Sequence, residues 1–154
     1  NLLGMLHFLD LCLADGAAEL CAWLDSDVLL YRRNGSLGLA EAAAAAFAAE
    51  PRAVALLPPS LCEPPGPPGA CRAVEASVAS SRHLLVSRAR LSRLLPLEVS
   101  LADFRLPYAG LFEDALGAGL RRVRGLWALA CGGALLAVHP PHNRFEMDFD
   151  GQVA

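Results

Sequence analysis

From Leu2 onward the apolar residues switch repeatedly between a helical period and short strand-like runs, and that alternation limits the architecture more than any other feature. Leu2, Leu3, Leu6, Leu9 and Leu13 recur at helical spacing and predict an amphipathic helix that Asp15-Gly16 ends. Leu20–Leu24 reads as a strand. "LGLAEAAAAAFAAE" is a helix by propensity, stopped by Pro51, with Ser36 as the expected N-cap. "AVALLPP" (Ala53 to Pro59) and "HLLVS" (His83 to Ser87) read as buried strands, and a short helix is expected from Arg88 to Leu95. Leu111 to Arg124 is helical, with an arginine-rich end that suits the negative pole of the helix dipole. "LWALACGGALLAV" gives one or two strands broken at Gly132-Gly133. Alternation of this kind predicts an α/β fold, three-layer α/β/α, with a mixed but mainly parallel sheet.

With 154 residues, one domain with a real core is expected over 1–154. Residues 58–72 form a Pro/Gly-rich loop and 139–154 a C-terminal loop and tail. The net charge is −3 and all 13 basic residues are arginine, so no basic surplus exists to grip a nucleic-acid backbone, and that partner is set aside. The longest uncharged apolar stretch, Gly125 to Val138, is too short for a membrane span. The chain opens at Asn1 with neither a signal-peptide pattern nor an initiator methionine, which reads as a fragment of a longer product.

The cysteines, Cys12, Cys21, Cys62, Cys71 and Cys131, make no CxxC and no zinc-type cluster. Cys12 and Cys21 lie in apolar segments and read as core fillers. Cys62 and Cys71 flank "EPPGPPGA", where a disulfide would staple a stiff loop, given an oxidising compartment.

"CAWLDSDVLLYRR" (Cys21 to Arg33) sets Asp25 and Asp27 one residue apart at the end of a strand. Unpaired carboxylates are costly to bury and repel each other at close range, so a cation between them is expected. Residues two apart in extended chain point the same way, so both oxygens can address one ion or one ligand beyond a strand's carboxyl end. Oxygen ligands suit Mg²⁺ or Mn²⁺, with a substrate phosphate completing the shell.

In this order, the first helix and then "ELCAWLDSDVLLYRRNGSLGLAEAAAAAFAAEPRAVALLPPS" resemble the centre of a GT-A glycosyltransferase of the family 2-like kind, in which a helix leads into a strand ending in a DxD motif. "SSRHLLVSRARLSRLLPLE" resembles that family's next strand and short helix. "LFEDALGAGLRR" resembles its acidic element at a helix start, where the acceptor binds, and "VHPPHNR" resembles the histidine-bearing loop that closes some such sites.

The resemblance implies a metal-dependent, inverting transfer of a sugar from a nucleotide-diphosphate sugar to a hydroxyl of a glycan, lipid or protein acceptor. It implies Asp27 as a direct ligand of Mn²⁺ or Mg²⁺, Asp25 on the metal or the nucleotide ribose, and His139 at the metal or diphosphate. The base is Asp114 first and Glu113 second, carboxylates held ionised at a helix start. A eukaryotic member would work in the Golgi lumen or secretory pathway and a bacterial one in the cytoplasm. His142 shares the loop of His139; His83 and His7 read as structural and packing residues. Trp127 reads as core, and Arg121, Arg122 and Arg124 as a solvated helix end.

One departure stands out. A full GT-A domain carries a βαβ portion upstream of the DxD that holds the nucleotide base, and a single helix precedes Asp25 here. A non-catalytic GT-A-like domain that binds glycan or protein is therefore the first alternative. A sugar nucleotidyltransferase is the second, though no Gly-rich phosphate loop is present.

Overall fold

The computed structural model describes residues 2–26, 28–59, 71–76, 83–96 and 111–138, with the backbone alone at 2–6 and 111–114. Helix α1 (Leu2–Ala14) leads into β1 (Leu20–Leu24), and a tight turn joins β1 to β2 (Leu29–Arg32). Helix α2 (Leu39–Ala49) and β3 (Ala55–Leu57) follow, then β4 (Arg72–Glu75) and β5 (His83–Ser87). A short α3 (Arg88–Leu91) tightens into a 3-10 turn, Ser92–Leu94. Helix α4 (Leu111–Arg122), β6 (Leu126–Ala130) and β7 (Leu135–Val138) complete the described elements.

Five strands form one sheet in the order β1-β5-β3-β6-β4, and β2 pairs with β7 in a separate antiparallel ribbon. The β3·β6 pair is parallel, while β1·β5, β3·β5 and β4·β6 are antiparallel. The chain is therefore α/β with a mixed sheet, but the expectation of a mainly parallel one is corrected. The cause is the placement of β5 and β4: β5 inserts between β1 and β3 and runs against both, and β4 adds to the edge against β6, which leaves β3·β6 as the parallel pair among the described strands. As β1 and β3 are both antiparallel to β5, and β6 is parallel to β3, the strands β1, β3 and β6 share one direction and end at one edge of the sheet.

Strand alternation sorts the core onto both faces. Val54, Ala55, Leu84, Val86 and Leu126 pack with Leu9 and Cys12 of α1 and Leu116 and Leu120 of α4. Leu56, Leu85, Trp127 and Leu129 face the other way, against Ala42, Ala43, Ala46 and Phe47 of α2. The alanine run of α2 thus supplies a thin stripe through which the helix approaches the sheet closely. Its N-cap is Gly38 rather than Ser36: Glu41 at the third helical position accepts a hydrogen bond from the Gly38 amide at 2.6 Å. A Cβ on Gly125 would lie 2.7 Å from Val54 Cγ2, so only glycine lets the backbone between α4 and β6 approach β3, where the Gly125 carbonyl accepts from the Val54 and Ala55 amides.

Two disulfides fasten this fold, one between helix and sheet and one within the sheet. Cys12 of α1 bonds Cys21 of β1, and Cys71, just before β4, bonds Cys131, just after β6. The expected Cys62–Cys71 pair is therefore corrected: β4 lies beside β6 in the register Arg72↔Ala130, which carries Cys71 to Cys131. Cys62 lies outside the described residues. Cys12 and Cys21 are in the apolar layer as expected, but as a bridge rather than as separate fillers.

The arginines of "SRARL" are clamps. Arg88 donates from Nε to Ala18 O and from Nη2 to Gly16 O, holding the α1–β1 connection. Arg90 reaches the C-terminal end of α2, donating from Nη1 to Glu50 O and Ala53 O and from Nη2 to Phe47 O, with its guanidinium 5.5 Å from the Phe47 ring centroid. Terminal helix carbonyls lack intrahelical donors, and a cation there also complements the dipole. Arg90→Met keeps the stem but takes the guanidinium donor from Phe47 O and Ala53 O and leaves Glu50 O with the Ala53 amide alone, and should cost about 2–4 kcal/mol in denaturant unfolding. A loss below about 0.5 kcal/mol would show that water replaces the guanidinium without penalty.

Candidate active site

The carboxyl ends of β1, β3 and β6 define the edge at which the sequence set its aspartates. Asp25 is the first residue after β1, partly buried, and its carbonyl accepts the Val28 amide at 3.0 Å, closing the turn into β2. Beside it, His83 opens β5 and pairs in register with Leu24. Pro59 follows β3 at the same edge, and its carbonyl accepts the Ala137 amide of β7 at 2.7 Å. The ribbon leaves from here too: the Arg33 amide donates to Ala134 O at 2.8 Å, so β2, which follows the aspartate turn, is tied to the Gly132-Gly133 turn that follows β6.

Helix α4 lies in the apolar layer that it shares with α1. Its C-terminal end meets the amino end of β6, where the Gly125 amide donates to Leu120 O. A helix of 12 residues runs about 18 Å, long enough to carry its first turn back toward the carboxyl ends. Glu113 and Asp114 stand in that first turn, where only the backbone is described.

Asp27, His139 and His142 lie outside the described residues, so Asp25 is the only expected metal ligand that is placed with its side chain. Among the described residues no three His, Cys, Asp or Glu side chains are grouped closely enough to hold an ion. Among the described residues, too, no helix is long and apolar enough to cross a membrane.

The other residues singled out from sequence go elsewhere. Trp127 is core as expected, 8 % exposed, with its indole N–H donating to Arg124 O and Arg52 5.1 Å from its ring centroid. His7 is exposed, which corrects its expected packing role, because α1 turns Leu9 and Cys12 inward instead. Arg121 and Arg124 line a cavity of about 450 Å³ with Glu75, Ala76, Leu120 and Leu126. That cavity sits at the amino end of β6, the far end of the sheet from Asp25. The arginines are therefore not available to a phosphate held at the aspartate turn.

Sequence reasoning missed β2 and β4, and with them the ribbon that borders this edge. No family model, curated protein or solved structure matches this chain.

Proposed function

We propose that this chain is a GT-A-like glycosyltransferase domain that moves a sugar from a nucleotide-diphosphate donor to an acceptor hydroxyl, with Mn²⁺ or Mg²⁺ bound at Asp25 and Asp27. The observation that carries this reading is the common edge of β1, β3 and β6, with Asp25 the first residue after β1; Glu113 and Asp114 enter as the acidic pair that the family resemblance assigns to the acceptor side. Helices on both faces of a mixed sheet are the layering that a three-layer GT-A domain requires.

Carboxylate oxygens at a partly solvated turn suit a hard cation that keeps some of its waters. The cation would supply neutralisation of the diphosphate as that group leaves. The protein's own part is to orient and to move a proton. The acceptor oxygen attacks the anomeric carbon, the bond from that carbon to the diphosphate oxygen breaks, and the hydroxyl proton passes to the Asp114 carboxylate. The products are a glycoside and a nucleoside diphosphate. His139 would add a further contact to the metal or diphosphate.

Calorimetric titration with a nucleoside diphosphate, with and without Mn²⁺, tests the site. The parent chain should show metal-dependent heat, and Asp27→Ala should show none, because one direct ligand is lost and the phosphate charge is left uncovered. Equal heats for the two proteins would remove Asp27 from the site.

A further inference from the structure

Four of the five cysteines are paired in this fold, and the pairs sit where they carry tertiary structure. Cys12 is 3 % exposed and joins α1 to β1, the strand that leads to Asp25. Cys131 is fully buried, at 0 % exposure, and its bridge to Cys71 fastens the edge strand β4 to the end of β6. Cys131 also opens the Gly132-Gly133 turn into β7, the partner of β2, so this bridge anchors the ribbon bordering the aspartate edge. Cytosolic thiol buffers keep such pairs reduced, whereas secretory and extracellular compartments retain them.

We propose that this chain matures in an oxidising, secretory-type compartment, where Cys12–Cys21 and Cys71–Cys131 are structural disulfides. This goes beyond the glycosyl-transfer reading and does not depend on it. Each bridge forms as two thiols lose two protons and two electrons to a disulfide-exchange oxidant, whose own disulfide is reduced to two thiols. A secretory-type lumen supplies that oxidant, and a thiol-buffered cytosol does not. Cys62 is left as the odd thiol.

The test is peptide mapping of the whole chain, alkylated without prior reduction after recovery from a secretory host. Cleavage at acidic residues separates Cys12 from Cys21, because Asp15 and Glu19 lie between them. Linked Cys12–Cys21 and Cys71–Cys131 peptides are expected, with alkylation at Cys62 alone and an intact mass lower by four hydrogens than that of the reduced protein. Full reduction with an excess of a strong phosphine reductant should lower the melting temperature by roughly 10–25 °C, while Cys62→Ser should leave it unchanged. Any other linkage, alkylation of all five cysteines in the folded chain, or a melting temperature indifferent to full reduction would overturn the proposal. None of these outcomes touches nucleotide binding, so failure here is distinguishable from failure of the transferase reading.

Discussion

Asp114→Asn is expected to lower turnover by a factor of roughly 10²–10⁴ while leaving donor binding nearly intact. Asparagine keeps the size and polarity of the side chain but cannot accept the acceptor's proton at neutral pH. In the proposed reading the donor is held at the other end of the reacting pair, by the metal and the aspartate turn, so its affinity should barely move. Consecutive helical positions diverge by about 100°, so Glu113 and Asp114 cannot serve equally. Glu113→Gln should therefore cost far less. Steady-state kinetics on both variants decides it: equal losses, or a loss confined to donor KM, would reduce the acidic pair to helix-end charge.

Removing the Cys71–Cys131 bridge, as the double variant Cys71→Ala with Cys131→Ala, should cost about 4 kcal/mol of stability on a loop-entropy estimate. The bridged residues are 60 apart in sequence, so the cross-link removes a large part of the unfolded chain's freedom. Cys12 and Cys21 are only 9 apart, and the same reasoning gives about 2.5 kcal/mol for their removal. The ranking is the sharper expectation, because packing losses at buried Cys12 and Cys131 are similar in kind. Denaturant unfolding of the two double variants under non-reducing conditions measures both. A larger loss for Cys12–Cys21, or a loss below about 1 kcal/mol for Cys71–Cys131, would contradict the entropic account.

Local signals were legible where a segment was long or strongly patterned. The bounds of β1 and β5 follow from their apolar runs, and the break between β6 and β7 follows from Gly132 and Gly133, whose φ values of 57° and 75° suit glycine. The four-residue strands β2 and β4 were not legible. Leu29, Leu30 and Tyr31 are apolar in succession and all exposed, so no two-residue period marks the strand, and β4 is a short "RAVE" beside a proline-rich loop. Strand direction is not written in a segment either: nothing within "HLLVS" says that β5 runs back between β1 and β3. Cysteine connectivity failed for the same reason, since it depends on β4 lying beside β6. At the candidate site, the strand end at Asp25 and the helix containing Glu113 and Asp114 could be located from sequence, because both depend on local pattern. The ribbon that borders the site depends on pairing between β2 and β7, residues distant in sequence.

Metal-dependent release of nucleoside diphosphate is the most direct test of the central claim. The chain would be incubated with a panel of nucleotide-diphosphate sugars and Mn²⁺, with acceptor glycans present, and the freed nucleoside diphosphate quantified with and without a chelator. At least one donor should be consumed, with release abolished by the chelator, restored by added Mn²⁺ and lost in Asp27→Ala. Absence of release from every donor, or release indifferent to both the chelator and that substitution, would contradict a transferase built on the Asp25–Asp27 turn.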